Sequence, residues 1–512
     1  MQVPIEGHVA VLAFPFGTHA TPLLTLVRRL SATAPNLKFS FINTSKSNQK
    51  VFSKIKPDDY QNIKPYNVDD GVPEGHVFSG NPLEAVELFL RAMPENFKNG
   101  LEGAVVDTGA KITCLLTDAF FWFGADMAAE MGVPWVAFWT AAPCSISLHM
   151  YTDVVRSTLK GKEENGDETL NFIPGMSAIR AKDLPAGIVH GKLEAPFNIM
   201  VHKMGQTLPR ATALAINSFE EIDPTITNDL KSKQKMVLNI GPFDLAWPPK
   251  SFSDESGCIP WLDSHEKASM AYLSFGSLLT PPPNELIALA EALETQRVPF
   301  LWSFRDSSKL QLLEGFLERT STLGKVMLEV KILIHPFFWS FGNIKFYFLV
   351  HDLNSRLVEE VWKIGVSVEG GNFTKSATTK ALELVFSSGK GGEMRENIGN
   401  LKQKAKIAVG SDGSSIKNFT SLVKVVAGCE NAYLQCSLRA IENASKQSRC
   451  GSSECQPQRG MSSTALRLGL KDGRTEEERK KEKVPSIRTP LSLRATTAAV
   501  ALEPLLDMAA DN

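Results

Sequence analysis

Cysteine is sparse and unpatterned in this sequence. The seven present (Cys114, Cys144, Cys258, Cys429, Cys436, Cys450, Cys455) are scattered and odd in number, with no CxxC pair and no Cys/His metal-ligand spacing. A disulfide scaffold and a zinc module are thereby excluded as organising principles, and a reducing compartment is expected. An excess of charge of either sign is also missing. The formal net charge is -1, with 22% charged and 43% apolar residues, which fits a soluble enzyme and neither a disordered polymer nor a nucleic-acid binder. The opening MQVPIEGHVAVLAFPFG has no basic stretch ahead of its apolar run, so it reads as a first buried strand and not as a signal peptide. An uninterrupted membrane span is lacking too: Ile332 to Val350 has nearly the length, but His335, Pro336, Asn343 and Lys345 break it. A charge at the centre of a span costs roughly 2.5 to 3.5 kcal/mol. These absences lead to the expectation of a cytoplasmic protein with small-molecule partners, no nucleic acid and no membrane span; a monomer is also expected, without being read from them.

What is present is an alternation of apolar runs with helical patterns. At 512 residues the chain exceeds one ordinary core, so two domains and some tail are expected. His8 to Phe14 (HVAVLAF) is a continuous β-rich run, followed by a glycine-containing loop and by TPLLTLVRRL, whose Leu23, Leu26, Val27 and Leu30 share a helical face. Further strands are predicted at Lys38 to Thr44, Ile112 to Asp118, Pro134 to Thr140 and Ala213 to Phe219. Strands alternating with helices imply a parallel sheet covered on both faces. Gly241 to Ser256 is rich in Pro, Ser and Gly and reads as an interdomain linker; a second α/β pattern follows, with strands at Met270 to Phe275 and Pro299 to Phe304 around a helix at Pro283 to Leu293. That pattern fails after Lys325, where Val326 to Val350 is nearly all apolar and aromatic. It resumes as a helix at Leu353 to Ile364, with surface helices predicted from there to Val426. Beyond Gly428 the mixed charges of GRTEEERKKEK and weak apolar periodicity predict a solvated, disordered tail. The predicted division is a first domain at 1–245, a second at 246–426 disrupted at 326–352, and an atypical tail at 427–512.

Two residues invite chemistry by their place. In open α/β sheets ligands bind beyond the carboxyl ends of the strands, and the loop FPFGTHATP puts His19 there. A histidine with its ordinary pKa of about 6.5 can take a proton from a hydroxyl at such a turn, although a capping or structural histidine has the same address. Asp118, which ends ITCLLTD, should lie on the same sheet edge. It could orient the imidazole of His19 and stabilise its protonated form, or cap the helical stretch that follows.

The segments HVAVLAFPFGTHATPLL, DDGVPEGHVFSGNP, LLTDAFFWFGADMAAEMGVPWVAFWTAAP, LNFIPGMSAIRAKDLPAGIV and INSFEEIDP follow one another as landmarks do in plant flavonoid 3-O-glucosyltransferases. The chain resembles that family from about His8 to Gly324 and again from about Leu353 to Val426. The resemblance implies an α/β GT-B fold of two doubly wound Rossmann-like domains, the second incomplete here. It also implies inverting transfer of a hexose from a UDP-sugar, the co-substrate, to the 3-hydroxyl of a flavonol or anthocyanidin, with no cofactor or metal. By the same resemblance His19 matches the catalytic base and Asp118 its partner, Thr140 contacts the donor sugar, Ser277 of LSFGSLLTPPP approaches the UDP phosphates, and Phe120 and His149 line the acceptor pocket. Read from the residues alone, Phe120 could equally be core, His149 a polar residue on a helix surface, and Gly276-Ser277 ordinary turn chemistry.

Two departures stand against the family pattern. Gly17 occupies a place where relatives often carry serine. More extensively, the family's donor-binding box opens with Trp-Ala-Pro-Gln, centres on His-Cys-Gly-Trp-Asn-Ser and ends in Asp-Gln. None of these parts occurs here; LEVKILIHPFFWSFGNIKFYFLVHDL stands instead, and Asp352 is followed by Leu353 and not by glutamine. His335, Trp339 and Asn343 lack the order and spacing to substitute, because a phosphate site needs several donors placed together. The simpler account of the segment is a faulty splice or gene model in which intron-derived sequence replaced an exon. Two readings therefore stand: a flavonoid 3-O-glucosyltransferase, and a flavonoid-binding remnant or mis-spliced product without transfer activity.

Overall fold

The computed structural model describes residues 7–17, 19–53, 61–79, 84–160, 166–185, 187–247, 257–266, 269–274, 281–304, 315–328 and 351–428. Ser277, the apolar segment 332–350 and the tail beyond 428 lie outside the described residues. Seven strands form the larger sheet: β1 (Gly7–Leu12), β2 (Leu37–Thr44), β3 (Ile63–Val68), β4 (Cys114–Asp118), β5 (Trp135–Trp139), β6 (Ala213–Ile216) and β7 (Val237–Asn239). All pair in parallel, in the order β3-β2-β1-β4-β5-β6-β7. A smaller parallel sheet has the order β10-β9-β8, from β8 (Ala271–Ser274), β9 (Phe300–Phe304) and β10 (Gly324–Leu328).

Alternation of side chains across the pleat decides which residues enter which layer. On the larger sheet Ala10, Leu12, Leu115, Trp135, Ala137, Trp139, Leu214 and Ile216 belong to one apolar core. Their neighbours Val9, Val11, Cys114, Leu116, Val136, Phe138, Ala213 and Ala215 belong to the opposite one. A sheet buried on both faces needs continuous apolar runs, which is why its central strands were legible. Each large side chain fully withdrawn from water contributes about 1.5–3 kcal/mol. The strand order runs 3-2-1 to one side and 4-5-6-7 to the other, so the crevice of the topological switch lies between the carboxyl ends of β1 and β4.

Four sequence expectations are corrected. Strand β3 escaped notice because IKPYNV carries a proline and exposed polar residues, tolerated on an edge strand with little burial. Strand β7 is only three residues long. The predicted linker starts later than Gly241: Phe243–Ala246 is a short helix, and the Phe243 ring stacks on Phe138 at 5.8 Å. The helices from Leu353 to Val426 are not confined to the surface. Leu353, Leu357 and Trp362 enter the larger core, and Phe419, Leu422, Val423 and Val426 pack beneath the opposite face of the larger sheet. There the Arg29 guanidinium lies 3.8 Å over the Phe419 ring, and burial pushes its pKa down to about 10.

The helix at Pro196–Thr207 meets the helix at Pro143–Met150 through a glycine. A Cβ at Gly205 would sit 2.1 Å from the carbonyl oxygen of His149. Gly205→Ala normally favours a helix by about 1 kcal/mol. Here the backbone obstruction prevails, and a net destabilisation of about 1–3 kcal/mol is expected. Urea unfolding of the two proteins checks it; equal or greater stability of the variant would show that the helices part freely.

Candidate functional site

The two residues at the switch crevice are brought into contact. β1 and β4 run in parallel register, Leu12 opposite Thr117, so their following residues leave the sheet on the same edge. The chain leaving β1 turns at Gly17, whose φ of 65° is a left-handed conformation costly for any side chain, and a serine there would be strained. His19 follows immediately before the helix at Ala20–Thr33. Its Nδ1 lies 2.7 Å from Oδ2 of Asp118, and both residues are buried. The other carboxylate oxygen, Oδ1, accepts the backbone N–H of Phe120 at 2.9 Å. Asp118 is therefore not the cap of a helix: the next one begins at Gly124, and both carboxylate oxygens are engaged locally. An acceptor carboxylate on Nδ1 requires the proton there, which leaves Nε2 as the basic nitrogen. That Nε2 is buried and has no hydrogen-bond partner among the described residues.

Aromatic rings surround the imidazole. Phe120 stacks on it with centroids 4.6 Å apart, and Phe14 meets it edge-on at 5.3 Å. Trp139 approaches Phe120 at 5.8 Å, Phe197 approaches it at 5.7 Å, and His149 lies 6.2 Å beyond Trp139. Phe120 belongs to the apolar core and at the same time stacks on the His19 ring. His149 is not on a helix surface: it is 7% exposed, its Nδ1 has no partner among the described residues, and burial pushes its pKa down to about 4. Thr140, one residue past β5, is buried, and its hydroxyl has no partner among the described residues. The structure brings His19, Asp118 and Phe120 into direct contact and joins His149 to them through the rings. Phe14, Trp139 and Phe197 were missed as wall residues, because aromatic residues in apolar runs carry no signal that separates wall from core. Among the described residues no group of three His, Cys, Asp or Glu side chains could hold a metal ion, and no helix is long and apolar enough to cross a membrane.

A second buried carboxyl lies away from this pair. Asp223 is pushed up to about 6 by burial, against the opposing effect of the Trp362 indole N–H. Its folded form therefore holds a proton that the unfolded chain has lost, and its contribution to stability falls as pH rises between about 4 and 6. His149 acts with the opposite sign. Its folded form resists protonation, so its contribution rises over about pH 4 to 6.5 and is lost below. Each shift corresponds to about 3 kcal/mol. Relative to the wild type, Asp223→Asn should gain about 3 kcal/mol between pH 4 and 6.5, while His149→Gln should lose a similar amount. Denaturant titrations at half-unit pH intervals test this; difference curves flat in pH would refute the assigned burial of both groups.

Residues 91–342 match the sequence profile of the family described as UDP-glucoronosyl and UDP-glucosyl transferase. A flavonol 3-O-glucosyltransferase of Actinidia chinensis var. chinensis is 51% identical over 447 residues, covering 83% of this chain and 98% of that protein. An anthocyanidin 3-O-glucosyltransferase of Vitis vinifera is 48% identical over 449 residues, with the same coverage of 83% and 98%. Among solved structures, a UDP-glucose:anthocyanidin 3-O-glucosyltransferase in complex with UDP superposes with a TM-score of 0.76 at 35% identity, covering 83% of this chain and 100% of that one. A UDP-glucosyltransferase from Polygonum tinctorium superposes at 0.70 with 18% identity, covering 84% and 100%, a likeness of fold.

Proposed function

We propose that this chain, which belongs to the family of UDP-glucoronosyl and UDP-glucosyl transferases, is by descent a UDP-glucose:flavonoid 3-O-glucosyltransferase. Membership makes it a UDP-dependent glycosyltransferase of GT-B fold, with the UDP-sugar as co-substrate and no cofactor. The observation that carries the finer reading is the buried Nε2 of His19, which has no hydrogen-bond partner among the described residues and is held in its basic tautomer by Asp118 on Nδ1 at 2.7 Å, amid aromatic rings. Flat phenolic rings bury well against such walls, and a lone unpartnered nitrogen selects which hydroxyl comes near. In the proposed reaction Nε2 takes the proton of the flavonoid 3-hydroxyl while its oxygen forms a bond to the anomeric carbon of the sugar. The bond from that carbon to the β-phosphate oxygen breaks, UDP departs with the electron pair, and the configuration inverts. Asp118 stays ionised and offsets the charge on the imidazolium. Phe120 and His149 serve the acceptor, and Thr140 with its unpartnered hydroxyl serves the donor sugar. Ser277 is assigned to the donor phosphates from the sequence resemblance.

The first domain (1–245) is assigned to the acceptor and the second (246–426) to the donor, in a cytoplasmic monomer. The sequence favours a second reading for the chain as it stands. The donor-binding box is replaced between Lys325 and Leu353, so the acceptor side is retained and transfer is slow. Losing several hydrogen bonds to a charged ligand, each worth about 1.5–3 kcal/mol, removes most of a micromolar affinity.

Quercetin is expected to bind in the micromolar range, about 8 kcal/mol, by fluorescence titration. Transfer from UDP-glucose should be barely measurable until a family donor box replaces residues 326–352. In the repaired chain His19→Ala or Asp118→Asn should lower kcat by about a hundredfold or more. A folded protein without quercetin affinity would sink the acceptor assignment, and rapid transfer by the unrepaired chain would sink the donor deficit.

A further inference from the structure

The helix that follows the replaced segment is seated on the larger sheet unit by two polar contacts and an apolar face. It runs as α-helix over His351–Arg356 and widens to a π-turn over Leu357–Val361, closed by the Trp362 N–H on the Leu357 carbonyl at 2.7 Å. Single π-turns are costly and are kept where a side chain has to be re-aimed. Here the turn ends at Lys363 in a positive-φ conformation of 52°, also unfavourable for a side chain. Trp362, delivered at this point, donates its indole N–H to Oδ1 of Asp223 at 3.3 Å, inside the core. Arg356, at the other end of the turn, donates to the Ala178 carbonyl at 3.1 Å and lies 3.3 Å from Asp183. Asp183 is itself fixed by Arg180, through the side chain at 2.8 Å and the backbone N–H at 2.9 Å. Leu353, Leu357, Val358 and Ile364 complete the seat in the same core as Ile173, Met176 and Ile222.

The path onward is short. Ser367 donates to Glu359 at 2.6 Å, and Asn397 holds the Lys363 carbonyl at 3.1 Å. Val368 and Phe373 already belong to the core of the smaller sheet, and the Phe373 N–H is accepted by Glu285 at 3.0 Å. Whatever fixes Trp362 therefore fixes the smaller sheet unit a few residues later.

We propose that Trp362 and Arg356 are positioning residues that lock the smaller sheet unit onto the larger one through Asp223 and Asp183. The lock concerns the relation of the two units and not the chemistry at His19.

Hydrogen–deuterium exchange of the whole, unliganded protein tests it at neutral pH. Trp362→Phe keeps an aromatic ring, though a smaller one, and removes the donor, and should raise exchange about tenfold in peptides covering 176–184, 220–228 and 351–364 while β1 and β4 stay protected. Asp223→Asn keeps an acceptor oxygen and should exchange no faster than the wild type. Unchanged exchange in the seat of the Trp362→Phe variant would overturn the proposal. So would acceleration that is uniform and includes β1 and β4, since that marks general destabilisation. Because no ligand is present, the pattern decides the lock whether or not the flavonoid reading holds.

Discussion

Parallel pairing of β1 with β4 is the constraint on which the site depends. Parallel strands deliver their carboxyl ends to one edge, and the reversal of strand order at this pair leaves that edge uncovered between two diverging connections. His19 and Asp118 are 99 residues apart in sequence, and only this register brings their side chains to 2.7 Å. A buried carboxylate is costly unless its oxygens are satisfied, and Asp118 has its imidazole and the Phe120 N–H to do so. The imidazole in turn takes its tautomer from the carboxylate. Each group makes the burial of the other tolerable, and the basic nitrogen on the far side is the consequence.

The wall around that nitrogen follows from the same sheet. Trp139 sits on the face of β5 that carries Leu12 on β1, and Phe14 continues that face of β1 beyond its end. Rings that fill the core there also surround the imidazole. Among the described residues His19 Nε2, His149 Nδ1 and the Thr140 hydroxyl are buried without a hydrogen bond. Polar atoms in a native core are rarely left so, and two of these three belong to imidazoles that the rings of Phe120 and Trp139 join.

Legibility in the sequence tracked burial on both faces. The central strands are continuous apolar runs and were read close to their ends, and the place of His19 and Asp118 followed from the strand-loop-helix order alone. Strand β3, with Lys64 and Pro65 exposed on an edge, carries no such run. The helix at 351–361 misled in the opposite sense. Arg356, Glu359 and Glu360 give it the charge of a surface helix, yet Arg356 reaches across to Ala178 and the apolar residues between face the larger core. Charge in a sequence reports that a group needs a partner, and whether water or another segment supplies it is decided by tertiary contact. For Asp118 the sequence left two partners open, the imidazole and a helix N-terminus; the imidazole is the one found, and the Phe120 N–H on the other oxygen belongs to a turn ahead of the helix.

The distribution of contacts separates the two tasks a transferase must combine. Every hydrogen bond and ring contact made by His19, Asp118, Phe120 and His149 among the described residues comes from Phe14, Asp118, Phe120, Trp139, Phe197 and their near neighbours, all within the first 250 positions. None is supplied from beyond β8. The arrangement that holds the His19 imidazole is therefore assembled, among the described residues, by the larger sheet unit alone.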